Sequence, residues 1–354
     1  MAANSNFIQR GFKDESKLIE WEVPIPWVNE MRTLSKEAMA ILRASCDHLD
    51  LLQLETEHDI NTFEGAIVAY SNAAHDWAHK FVVDCVGFFG KKHPGVEIPP
   101  FAICKLGTFG RSEMSPYSYS KICFLCEPDH VKELEDGFSL YLMSVAATLW
   151  RTSSGETFNI YCDTEKVVWT SLELAENLGS YQGATLDIFS LFNYPDNKQM
   201  FLQRVYDKRD LFVTPIKKSV SKDGLDALLP HKDFSQFYTP RHWSPRGPTS
   251  YDVKSIAAFF QRGLAVLTAA KDYPKIDFKY QHGATSERLE RYFTGRDARK
   301  LYCQVMAVRY AMHFDMKTKW DSARGKYFQR INDLRDQGLR DTLKEIDELL
   351  KALK

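Results

Sequence analysis

The sequence predicts an α+β protein in which a small mixed sheet with long flanking helices is followed by an all-α helical domain. Three observations carry that prediction. Apolar residues recur at three- and four-residue steps in two long segments ahead of Pro94. Three short apolar runs then follow, bounded by proline, glycine or serine. Beyond Asp163 the pattern is mainly helical.

Taken in order, residues 1–30 mix Trp21, Pro24, Pro26 and Trp27 without a helical period and read as an extended arm on the body. From Asn29 the pattern turns helical. Leu34, Ala38, Ile41, Leu42 and Cys46 share one stripe, and Phe63, Ile67, Tyr70, Ala74, Trp77, Phe81 and Cys85 share a second that ends near Gly90. Phe101 to Leu106 is the first strand, its start fixed by Pro99 and Pro100, and Ile122 to Cys126 is the second. A long helix from about Asp129 to Arg151 stops at Ser153, Ser154 and Gly155, and Thr157 to Cys162 is a third strand.

Helices are then expected at Ser171 to Leu178, Leu186 to Phe192, Asn197 to Asp207 and Leu225 to Leu229. Pro240, Pro245 and Pro248 rule out regular structure in the connection 230–249. Helices return at Val253 to Ala270, Ser286 to Phe293 and Ala298 to Phe314, and a last one carries Tyr327, Phe328, Ile331 and Leu334 onward to Leu353. The domains implied are an arm at 1–30, a sheet domain with two leading helices at 31–215, and a helical domain at 216–354.

Composition narrows the function classes. Of 354 residues, 46 are Lys or Arg and 47 are Asp or Glu, so there is no global positive field to hold a long nucleic acid. Seven cysteines scattered through mostly apolar runs show no disulfide framework and read as reduced thiols. No stretch reaches the roughly 18 apolar residues of a membrane span, and the first residues lack a basic region followed by an apolar run. The expectation is a soluble cytoplasmic protein that binds neither membrane nor long nucleic acid.

The stretch from Lys105 to Glu127 carries the chemistry. It reads as a strand, a glycine-punctuated turn and a second strand, and the turn runs Gly107-Thr108-Phe109-Gly110-Arg111-Ser112-Glu113-Met114-Ser115-Pro116-Tyr117-Ser118. This resembles the signature of the nucleotidyltransferase superfamily as the bacterial PII-uridylyltransferase family writes it, where an Asp-x-Asp pair follows at once. Here the positions of that pair hold Tyr119, Ser120 and Lys121. Ala307 to His313 and Arg246 to Lys254 are similar, more loosely, to segments of that family's helical bundle.

The resemblance implies a nucleotidyltransferase-like domain in which Gly107 and Thr108 approach a triphosphate and the two aspartates, on one strand face, bind two magnesium ions. A phenol and an ammonium cannot replace hard anionic oxygens. The expectation is therefore a pseudoenzyme, a nucleotide- or protein-binding regulatory module that needs no cofactor and no metal. Its partners would be a nucleoside triphosphate or small phosphorylated ligand, and a protein through the helical domain. The alternatives are an active transferase with relocated acids, Asp163 first among them and magnesium its cofactor, or a cleft repurposed for unrelated small-molecule chemistry.

Lys121 has two readings: a point charge that meets phosphate where a metal would stand, or a side chain snorkelling from a disused strand. Arg111 is a nucleotide-binding candidate whose plainer role is an ion pair with Glu113 that braces the turn. Arg241 and Arg246, in the aromatic connection that also holds His242 and Trp243, are further candidates for base and phosphate contact, against the alternative of a loop pinned by its aromatics. His75 and His79 have the spacing of a helical zinc site but no third ligand, and read as a solvated helix face. Cys123 and Cys126, three apart on a strand, face opposite sides and read as buried free thiols.

Overall fold

The computed structural model describes residues 23–51, 54–162, 166–178, 188–195, 200–208, 250–252, 285–292, 298–315 and 328–330, with a few single positions between them. Helix α1 (Ile25–Cys46) buries Trp27, Met31, Ala38 and Leu42 on one stripe. It begins at Ile25 rather than Asn29, because Pro26 falls in the first turn, where a missing N–H costs nothing. The expected arm is thus helical from Ile25, and residues 1–22 lie outside the described residues.

Helix α2 (Glu57–Lys92) is long, about 54 Å at 1.5 Å per residue. The Thr56 side chain caps its start by accepting from the Asp59 amide at 3.1 Å, Glu57 and Asp59 stand in the first turn, and Lys91 and Lys92 in the last, as the helix dipole favours. The two helices lie together through buried indoles: Trp77 Nε1 donates to the Met31 carbonyl at 2.8 Å and Trp27 Nε1 to Asp84 at 2.8 Å.

The sheet has the order β3-β2-β1-β5, with β4 on the same edge of β2 as β3. Strand β1 (Phe101–Leu106) pairs antiparallel with β2 (Tyr119–Cys126) and with β5 (Ile188–Tyr194). Strands β3 (Asn159–Tyr161) and β4 (Val168–Trp169) run parallel to β2, at its beginning and its end respectively. One face carries Phe101, whose ring meets Phe124, Phe138 and Phe192, and lies under α2, where Phe89 meets Phe138 and His79 meets Phe192. The chain is therefore α+β with a mixed sheet.

Two expected helices prove otherwise. The segment expected as a helix at 186–192 is strand β5 from Ile188 onward. Its ladder skips Leu191, since Ile103 faces Phe192 while Cys104 faces Ser190. That bulge puts the two well-buried side chains, Ile188 and Leu191, three positions apart, a spacing that mimics a helix.

The single helix expected over 129–151 is broken as well. A 3-10 turn (Pro128–His130), α4 (Val131–Leu134) and a π turn (Glu135–Ser139) precede α5 (Leu140–Thr152). Gly137 has φ −102° and ψ −109°, outside the helical region, and lets the chain kink there.

Helix α3 (Gly107–Gly110) forms the turn between β1 and β2, and α6 (Ser171–Leu178) and α7 (Met200–Asp207) follow β4 and β5 respectively. Beyond them α8 (Thr285–Tyr292) and α9 (Ala298–Asp315) return, and α9 packs on α2, where Tyr310 meets Phe63 edge to face at 5.2 Å. The all-α expectation for 216–354 fails at β6 (Ser250–Asp252) and β7 (Phe328–Arg330), which pair antiparallel. Phe328, expected in the last helix, is a strand residue because β6 offers its backbone a ladder partner. The rest of that expected helix and the connection 230–249 lie outside the described residues. Among the described residues no helix is long and apolar enough to cross a membrane.

Candidate functional site

The turn that joins β1 to β2 is built as a buried knot. Strand β1 ends at Leu106, and Gly107 enters α3 with φ +58°, a left-handed conformation that glycine adopts without strain. The Arg111 amide donates to the Gly107 carbonyl and the Glu113 amide to that of Thr108, both at 2.9 Å. Ser115 and Ser118 close the far end, with the Ser118 amide donating to the Ser115 carbonyl at 2.8 Å and the Ser115 amide to Ser118 Oγ at 3.0 Å.

Glu113 is the centre of the knot. Its carboxylate pairs with Arg111 at 3.0 Å, the two side chains being 5% and 4% exposed, and accepts from Gln261 at 3.2 Å, Tyr302 at 3.1 Å, and both the hydroxyl (3.0 Å) and the amide of Thr285. Met114 is held on both sides, its amide donating to Ser71 Oγ at 2.9 Å and its carbonyl accepting from the Tyr310 hydroxyl. Tyr70 donates to the Pro116 carbonyl at 3.3 Å. Arg111 thus sits in an ion pair inside the protein, the bracing role, and not on an open wall.

The positions of the expected acidic pair open differently. Tyr119 and Lys121 share one face of β2, and β3 continues that face, since Tyr119 stands opposite Asn159 and Lys121 opposite Tyr161. All four are half-buried, whereas the alternating residues Ser120 and Ile160 are buried. The rings of Tyr119 and Tyr161 lie 5.0 Å apart with a 35° tilt. Further along the same face Cys123, Cys104 and Leu125 are fully buried, so the face is covered at one end and accessible at the other.

The other candidates distribute as follows. Gly107 is buried and Thr108 half-buried on α3, which packs against the start of β2. Asp163, Arg241 and Arg246 lie outside the described residues. Glu127, the residue after β2, pairs with Arg204. His79 is exposed and His75 half-buried, with rings 6.4 Å apart. Burial, then the nearby Lys105 ammonium, hold the His75 pKa below its ordinary value, and its Nδ1 has no hydrogen-bond partner among the described residues. Lys105 itself is pushed down by burial and places its ammonium 5.5 Å from the Phe109 ring centre.

All seven cysteines are buried free thiols. Cys104 and Cys123, opposite one another on β1 and β2, are both pressed against each other, and the hydrogen bond between them, with burial, raises the Cys104 pKa well above the ordinary thiol range. Among the described residues no group of three His, Cys, Asp or Glu comes together as a metal site.

A cavity of about 380 Å³ opens on the other side of the knot, between α2, Ser112 and Glu113, α8 and α9. Nothing in local sequence pattern announces it, because its walls come from four separate segments. Neither a scan against protein-family models nor a search of curated proteins finds a match to this chain.

Proposed function

We propose that the chain is a degenerate nucleotidyltransferase-like protein, a pseudoenzyme that binds a nucleotide as a regulatory module without transferring it and that meets a protein partner through its C-terminal helical region. The observation that carries this reading is Tyr119 and Lys121 side by side on a half-buried sheet face, next to the Tyr161 ring. An aromatic face stacks on any base, and an ammonium beside it meets phosphate as a point charge. Among the described residues of β2 and β3 that face holds no carboxylate, so it lacks the anionic oxygens a magnesium ion requires.

The test is titration with a fluorescent adenosine triphosphate analogue in the presence of EDTA, together with a pyrophosphate assay in Mg²⁺ or Mn²⁺. The expected result is metal-independent binding and no pyrophosphate. Tyr119→Ala and Lys121→Ala should each weaken binding by about tenfold, a stacking or charge-assisted contact being worth about 1–3 kcal/mol. Metal-dependent pyrophosphate release would replace this reading with an active transferase using relocated acids. No binding of any nucleotide would leave a protein-interaction role alone.

A further inference from the structure

The cavity behind the knot differs in chemistry from the Lys121 face. Its apolar side is made by Ile67 and Val68 of α2 and Met306 of α9. Its polar side carries three carboxylates, Glu64, Glu113 and Glu290, against one lining cation, Arg299. That guanidinium is already engaged by Glu57 and by Glu64, with Nε at 3.1 Å from the latter, and lies 3.3 Å from Glu290. Glu113 is saturated by the contacts of the knot, and Glu64 also accepts from the Cys303 thiol at 3.3 Å.

Two serines, Tyr302 and Cys303 complete the lining. Ser286 is 8% exposed and lines the cavity. Ser112, half-buried and held at φ +58°, lines the same space.

We propose that this cavity is a binding site for a small organic amine, a single ammonium group on a mainly apolar body. The volume falls in the range of small-molecule sites, and the combination of an apolar wall with a few convergent polar groups is what such sites use. An ammonium donates to the hydroxyls of Ser286 and Ser112 and lies against Glu290, which is 58% exposed at the mouth. A phosphate or carboxylate in the same place would face three carboxylates with only an already engaged guanidinium in return, so the site excludes the nucleotides proposed for the sheet face.

The experiment compares three probes with the same phenyl body, namely phenethylamine, phenethyl alcohol and 3-phenylpropionate, by calorimetry and thermal shift on the full chain. The amine should bind and raise Tm, the alcohol should bind about tenfold more weakly, and the carboxylate should not bind, since a charge-assisted hydrogen bond is worth about 1.5–3 kcal/mol. Val68→Trp, at a position 43% exposed, should block the mouth without disturbing the core and abolish amine binding. Glu290→Gln should weaken the amine about threefold to tenfold and reduce its salt dependence. Circular dichroism melts establish that both variants fold. Equal binding of alcohol and amine, binding of the carboxylate, amine affinity unchanged in Val68→Trp, or no binding of any probe would each overturn the proposal.

Discussion

The Tyr302 hydroxyl donates to Glu113 at 3.1 Å, although the two residues stand 189 positions apart in the chain. One carboxylate therefore ties the β1–β2 turn to α9, and burial followed by that same carboxylate pushes the Tyr302 phenol pKa well above its ordinary value. The phenol stays a donor at every physiological pH, which suits it to hold the Glu113 carboxylate. Glu113 also neutralises Arg111 within the turn itself, so parting the turn from α8 and α9 would keep that ion pair but lose the hydrogen bonds from Thr285 and Tyr302.

Removing that carboxylate should be severe. Glu113→Ala leaves the Arg111 guanidinium buried without its anion, and breaking one side of a buried pair costs about 3–5 kcal/mol. Tyr302→Phe removes one hydrogen bond from a carboxylate that keeps several others and should cost about 1–2 kcal/mol. Urea unfolding of both variants checks the order. A smaller loss for Glu113→Ala than for Tyr302→Phe would show that the knot is not centred on Glu113.

Restoring acids to the sheet face tests what its substitution removed. Tyr119 and Lys121 lie at i and i+2 on β2 and point the same way, so a Tyr119→Asp/Lys121→Asp double variant sets two carboxylates on one half-exposed face. It should acquire Mn²⁺ affinity visible by electron paramagnetic resonance, while the unaltered chain shows none at the same concentration. Each single variant should fall well short of the double, because one carboxylate supplies too few hard oxygens for tight binding.

How much of this was legible in the sequence follows from distance along the chain. The shared face of Tyr119 and Lys121 came from the family resemblance alone, since apolar pattern started the second strand at Ile122 whereas β2 begins at Tyr119. The two leading helices were legible as apolar stripes at three- and four-residue steps within single segments. Strand β5 was not, because the bulge at Leu191 erased its alternation, and the break at Gly137 was not, because a lone glycine in an apolar helical pattern is tolerated. The clamp on Glu113 and the amine cavity are products of tertiary packing: Gln261, Thr285 and Tyr302 reach the turn from 148, 172 and 189 positions away.

The pH dependence of stability should carry a term from His75. Its folded pKa is lowered by burial and by Lys105, so between that value and the ordinary 6.5 the unfolded chain binds a proton that the folded chain refuses. Stability from this group is complete above about pH 6.5 and declines as pH falls below it, levelling off once the folded state also takes the proton. His75→Gln should flatten this limb of the stability profile, measured as the urea midpoint between about pH 5 and 7. A profile whose slope in that window is unchanged by the variant would assign the acid sensitivity to other groups.

Gly155 offers a prediction that depends on backbone shape alone. It closes α5 with φ +79°, and its amide donates to the Trp150 carbonyl at 3.0 Å, as a left-handed helix terminus does. A Cβ built there would lie 2.8 Å from Cζ2 of Trp150, closer than real Cβ atoms come. Gly155→Ala must therefore accept left-handed strain and also displace an indole, for a loss of about 1–3 kcal/mol. Trp150→Ala in the same background removes the obstruction and leaves the strain. The cost of Gly155→Ala should then shrink to the left-handed penalty of about 1–2 kcal/mol, so a double-mutant cycle by urea unfolding separates the clash from the backbone term.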